Sequence, residues 1–172
     1  MSDLTFAAVG GLSVVALLLV SAFFSSSEIA LFSLPDAWFD EQAQSGEHRA
    51  AVLADLHADP HRLLVTLLVG NNVVNVAISS IVAVIVAGFL DPGAAVLVTT
   101  LLTSFLVLVF GEIVPKAYGL GNAERWSLVV AVPLRAVERV LSPLITFFDW
   151  ITRGLNAIVT VDEDIEKPYV GP

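Results

Sequence analysis

The chain has 172 residues, 56% of them hydrophobic and 15% charged, with a mean hydropathy of +0.85. That is the composition of a membrane protein and not of a soluble domain. The net charge of −9 argues against a nucleic-acid partner, and the absence of cysteine excludes disulfides and thiolate metal sites.

Leu4 to Leu34 is apolar except for serines and Glu28. It exceeds the roughly 20 residues that a span needs, so it tilts or projects beyond the bilayer. It is too long for a signal-peptide core and has no basic leader. Ser21 and Ser25 share a helix face, and Glu28 lies three residues further on. The run Ser25-Ser26-Ser27 loosens the hydrogen-bond ladder or favours a bulge. Packing between membrane helices accounts for serines but not for a carboxylate. Pro35 and Asp36 end the helix. Asp36 to His61 reads as a polar, partly helical loop. Its His48, His57 and His61 lack a metal spacing and read as surface residues, and its acidic groups read as a solvated face.

Leu63 to Leu90 is the second span. Gly70-Asn71-Asn72-Val73-Val74-Asn75 and Ser79-Ser80 interrupt it. Amides in a membrane helix are costly unless they bond something. Asn71 and Asn75 are four apart, Asn72 and Asn75 three apart, so Asn75 belongs to either face. Interhelical hydrogen bonding, worth about 0.6–2 kcal/mol per contact, is the alternative use.

Asp91-Pro92-Gly93 is a tight turn, and Ala94 to Ile113 is the third span, with Thr99, Thr100, Thr103 and Ser104 as small polar groups. It ends in Phe110-Gly111-Glu112-Ile113-Val114-Pro115-Lys116. A carboxylate at the end of such an apolar run is a functional-site hypothesis. Pro115 has no N–H, so in an α-helix the carbonyl of Gly111 loses its partner. Gly111 has no side chain to obstruct that oxygen. A freed carbonyl beside a carboxylate suits a hard cation. The alternative is a kink with a snorkelling Glu112.

After Lys116, Val137, Val140, Leu141, Leu144, Ile145 and Phe148 follow helical spacing, with charges opposite. Trp126 and Trp150 fit interfacial depth. Pro133 and Pro143 predict short pieces, and Arg135 and Arg139 argue against a fourth span. The expected class is an all-α membrane protein: three spans over residues 1–120, then a belt of amphipathic juxtamembrane helices over 121–161. Basic residues follow the first and third spans' ends, so the N-terminus is expected outside and the C-terminus in the cytoplasm, in the plasma membrane. At the helical rise, the Ser25, Asn71 and Glu112 patches all lie roughly 6 to 14 Å from the cytoplasmic edge. Three polar patches at one depth favour one shared cation site over separate packing contacts.

Phe23-Phe24-Ser25-Ser26-Ser27-Glu28-Ile29-Ala30-Leu31-Phe32-Ser33-Leu34 resembles the first-helix signature of the CNNM/CorC magnesium transporters. The Gly70–Asn75 and Phe110–Lys116 stretches resemble its second and third signatures, in the family's order and spacing. The likeness covers residues 4 to about 160, the transmembrane domain called DUF21. Ser26 stands where a small residue such as Gly is common. The resemblance implies a homodimer that binds a largely dehydrated Mg²⁺ between the helices and exports it, with sodium entry proposed as the coupling. It also implies cytoplasmic CBS modules that bind ATP. Residues 162–172 then read as the start of a linker to such a region.

The candidate shell is the Glu112 carboxylate, the Gly111 carbonyl, the hydroxyls of Ser21 and Ser25, and an amide oxygen of Asn72 or Asn75. Spacing does not exclude Asn71 or Ser27. Glu28 is a secondary candidate, as a base, a proton or sodium ligand, or an arginine's partner, and Pro115 marks the bend. Rival readings are a magnesium sensor or regulator of other transporters without flux, and a membrane anchor. A channel lacks its polar stripe. No nucleophile–base pair or P-loop is present, so an enzyme is not expected.

Overall fold

The computed structural model describes residues 3–159. The helices are α1 (Asp3–Phe32), α2 (Asp36–Ala43), α3 (His48–His57), α4 (Pro60–Ala87), α5 (Pro92–Leu106), a π-helical segment (Val107–Ile113), α6 (Val114–Gly121) and α7 (Ala123–Val159). No strand occurs among the described residues. Side chains beyond Phe147, Trp150 among them, and residues 160–172 with the expected linker lie outside what is described.

Three helices are long and apolar enough to cross a membrane: Thr5–Phe32, Pro60–Ala87 and Pro92–Gly121. Two of them begin with the same local device. Asp59 accepts from the N–H of Arg62 at 3.0 Å, with Pro60 at the first helical position. Asp91 accepts from the N–H groups of Gly93 and Ala94, each at 3.2 Å, with Pro92 in the same place. The aspartates satisfy N–H groups that the helix leaves orphaned, and the prolines have no N–H to orphan. The outer surface is apolar, with Leu12 72% exposed, Leu19 69% and Val96 69%. In water such a surface would aggregate; against lipid tails it costs nothing.

The spans pack closely where residues are small. α1 lies against α4, the π segment and α6, and α4 lies against α5. Gly119 touches the backbone carbonyl of Ser26, and any Cβ there would collide with it. Trp126 locks the same corner by donating its Nε1–H to Ser26 Oγ at 3.0 Å.

The juxtamembrane layer differs from the expected chain of short pieces. α7 is one helix that runs through both Pro133 and Pro143. Each proline removes one N–H, which leaves the carbonyls of Val129 and Arg139 without it. Both residues are exposed, so those oxygens sit on the open side of the helix. The buried face of Val130, Ala131, Leu134, Glu138 and Ile145 holds the helix together through packing. α3 supplies Leu53 and Leu56 beneath it. α2 joins through Phe39, whose ring stacks on His57 at 3.8 Å between centroids, while His57 Nε2 lies 3.1 Å from Asp36.

One buried carboxylate ties this layer to the second span. Glu138 is 6% exposed. Its Oε1 accepts from Arg62 Nε at 2.5 Å, and its Oε2 from Arg135 Nη1 at 2.7 Å. Arg62 also donates to Ser142 Oγ at 2.9 Å, and Arg135 pairs with Asp55. Burial alone would raise the Glu138 pKa; the hydrogen bonds from Arg62 and Arg135 outweigh it and hold it below the ordinary 4.5. A carboxyl whose folded pKa is lowered contributes its stability in full above the ordinary value. That contribution is lost as pH falls through the folded value. Glu138→Gln is therefore expected to destabilise the protein by about 3 kcal/mol at pH 7, the low end for a broken buried pair because both arginines reach solvent. Unfolding in detergent across pH checks this: the gap between the two proteins should close as the pH drops below 4.5.

Candidate cation site

The first two spans meet at Ser21. It is fully buried on α1, and its Oγ lies 3.0 Å from Asn71 Oδ1 and 2.9 Å from Asn75 Oδ1 on α4. A hydroxyl has one proton, so it serves one of the two amide oxygens at a time. The other contact is oxygen against oxygen. Rotating one amide so that it donates is the ion-free solution; a cation among the three oxygens is the other.

The third span arrives by its backbone. Gly111 is buried, and a Cβ there would stand 2.8 Å from Ser21 Oγ. The helix around it is wound wide, with the N–H of Val114 bonding to the carbonyl of Val109, five residues back. Pro115 follows at the start of α6 and is buried. In the π register its missing N–H would have served Phe110, and in the α register Gly111. Either way the turn that faces Ser21 has a carbonyl without its usual donor. π segments of this kind are frequent at functional sites.

Glu112 is the next residue and is half-buried. Among the described residues it has no hydrogen-bond or ion-pair partner. Ser25, one turn beyond Ser21 on α1, is 1% exposed, and its Oγ has no hydrogen-bond partner in the described structure. Glu28 is engaged elsewhere: Lys116 Nζ lies 3.3 Å from its Oε2. Ser27 is also occupied, donating to the carbonyl of Phe23 at 2.6 Å. Asn72 is exposed on the outer side of α4 and stands apart from the cluster.

Thus Ser21, Asn75 and Gly111 come together, Asn71 joins them, and Glu112 and Ser25 flank them with unpaired oxygens. No group of three or more His, Asp or Glu able to hold a metal occurs among the described residues. The donor set is neutral oxygen with one carboxylate, which suits a hard cation and not a soft metal. Sequence reasoning missed the Lys116 partner of Glu28, because no local spacing signals a contact between two spans. It also missed the π register, for which Pro115 was the available signal.

Residues 12–171 match the family model described as the Cyclin M transmembrane N-terminal domain. Among curated proteins, a UPF0053 protein of Haemophilus influenzae is 33% identical over 156 residues, 89% of this chain and 36% of that protein. The UPF0053 inner membrane protein YfjD of Escherichia coli is 31% identical over 85% of this chain and 34% of its own length. A Haemophilus influenzae protein named polyamine export protein is 28% identical over 89% of this chain and 39% of its own. The chain therefore spans between a third and two fifths of these relatives, from 34% to 39%.

Gly111→Ala tests the close approach directly. The added methyl meets Ser21, which is held between two spans, so one helix must shift. The expected cost is about 1–3 kcal/mol, as for other overpacked sites. It should appear as a lower unfolding temperature in detergent, whereas Gly121→Ala, where a Cβ meets nothing within 4 Å, should leave it unchanged.

Proposed function

The chain belongs to the Cyclin M transmembrane domain family, and from that we propose that its three spans carry Mg²⁺ across the plasma membrane through a dehydrated site. The observation that carries this reading is the convergence of Ser21, Asn71 and Asn75 on the Gly111 turn, with Glu112 unpaired beside it. Mg²⁺ takes six oxygens in a near-octahedral shell at about 2.0–2.1 Å, which sets neighbouring oxygens about 2.9 Å apart. The Ser21 contacts to Asn75 and Asn71, at 2.9 and 3.0 Å, match that edge. A hydrogen bond has the same length, so a proton or Mg²⁺ fits the gap equally. Ca²⁺ in the same geometry needs edges of about 3.3–3.7 Å and would have to push the spans apart.

The proposed shell is Ser21, Asn75, Asn71, the Gly111 carbonyl and Glu112, with Ser25 Oγ in reserve one turn away. Its single carboxylate allows release as well as binding. Glu28, paired with Lys116, belongs to the frame around the site. Export driven by sodium entry, a homodimer, and a cytoplasmic C-terminus complete the proposal. The last rests on Arg62, Lys116, Arg125, Arg135 and Arg139 all lying towards one end of the spans. A second reading follows from the relative named polyamine export protein: the same oxygens would accept ammonium groups of an organic polycation.

Calorimetry on the purified protein separates these. Wild type should bind Mg²⁺, with Ca²⁺, Na⁺ and spermidine competing weakly. Glu112→Ala should lose more than the about 10–100-fold typical of an outer partner of a metal site. Equal binding by both proteins would remove the ion from this site. Tight binding of spermidine in place of Mg²⁺ would favour the second reading.

A further inference from the structure

Two stripes of small residues leave the Ser21 cluster towards the far membrane face. On α4 the residues four apart are Asn71, Asn75, Ser79, Ala83 and Ala87. On the third span they are Gly111, Val107, Thr103, Thr99 and Ala95. α5 packs against α4, and the π segment that carries Val107 and Gly111 packs against α1. Near the Asp91 turn, residues of both stripes line an open groove of about 380 Å³, among them Ala83, Ala87, Ala95, Thr99 and the exposed Val96. At the other end, the Cβ position of Gly111 lies 3.7 Å from Val107 and 2.8 Å from Ser21.

Small stripes pack helices in membranes without any other purpose. Thr103 sets this one apart. The hydroxyls of Ser79, Ser80 and Thr100 each donate to the carbonyl four residues back, at 2.9 Å. That is the ordinary resting place of a hydroxyl in a helix. Thr103 is 8% exposed, and its buried Oγ1 has no hydrogen-bond partner. An unsatisfied hydroxyl in that setting is costly. Its place is halfway: eight residues, about 12 Å, from Gly111, and one turn from Thr99 in the groove.

Resting on the cation-transport reading, we infer that Thr103 is a transfer ligand on the cation's route between the Ser21–Glu112 site and the groove at the Asp91 turn. Val107 is the apolar constriction between the site and Thr103. It closes the route when dry, as hydrophobic constrictions do. A cation that passes Val107 leaves the carboxylate and the amides behind, and Thr103 supplies the first oxygen beyond it.

The test uses the protein in liposomes. Thr103→Val keeps the shape and removes the oxygen. It should bind Mg²⁺ like wild type by calorimetry but carry it at least about tenfold more slowly, a barrier higher by about 1.4 kcal/mol. Thr103→Ser should carry it at nearly the wild-type rate. Wild-type flux in Thr103→Val, or equal slowing in both variants, overturns the proposal. A second readout does not depend on the ion. The chain has no cysteine, so Thr99→Cys and Thr103→Cys meet a silent background. Both should react with a membrane-impermeant thiol reagent added on the Asp91-turn side, and the lipid-facing Leu101→Cys, 63% exposed, should not. If wild type neither binds nor carries Mg²⁺, the magnesium reading fails, and labelling alone decides the route: reactive Thr103→Cys keeps it for another cation, and inert Thr103→Cys overturns it.

Discussion

Pro115 takes one N–H out of the third span, and much of the domain is arranged around that loss. In lipid no water replaces a missing donor, so a freed carbonyl must be bonded, buried or used. The preceding turn is a π segment, and the carbonyl that Pro115 leaves unserved lies in the Phe110–Gly111 turn. Gly111 lets that turn press against Ser21, and Ser21 in turn gathers Asn71 and Asn75.

A cluster that depends on the relative placement of three helices needs those helices held from outside. The bilayer does this poorly, because apolar side chains gain nothing by leaving lipid for one another. The structure meets the need at the polar end of the spans. Glu28 and Lys116 join the first span to the third. Arg62 begins the second span, and Glu138 ties it to α7. Trp126 and Gly119 fix α7 and α6 to the serine run of α1. These contacts lie where water still reaches part of each group, so their charges do not bear the full desolvation cost. The same carboxylate–arginine chain runs on through Arg135 to Asp55, so it joins α3 and α7 to the second span.

Much of this was legible in the sequence. Hydropathy marks the three spans, although the second and third begin a few residues before their apolar runs, at the Asp59-Pro60 and Asp91-Pro92 pairs. Ser21, Asn75, Gly111 and Glu112 stand out as polar or small groups at one depth. The choice among Asn71, Asn72 and Asn75 was not legible, because residues three and four apart both share a face with Asn75. Only the position of α1 decides for Asn71 and leaves Asn72 exposed. The continuity of α7 was hidden for a different reason. Proline is a strong local signal for a break, but packing of a buried face over many turns overrides the loss of two hydrogen bonds. Glu28 pairs with a residue on another span, and sequence offers no periodicity for that.

The balance between holding and releasing an ion sets what kind of site three such helices make. Several carboxylates would bind a divalent cation tightly and leave a large uncompensated charge in lipid without it. Here the neutral oxygens already satisfy one another in part: Ser21 bonds an amide, and the amide can turn. Within the cluster, Glu112 and the buried hydroxyl of Ser25 have no partner among the described residues. On the proposed reading the ion-free state is thus tolerable, and the gain on binding would come mainly from one charge and from oxygens whose spacing is preset. Spacing of about 2.9 Å favours a small ion over a large one. If the cluster holds a cation as proposed, the constraint that begins at Pro115 governs which ion fits as well as where the cluster forms.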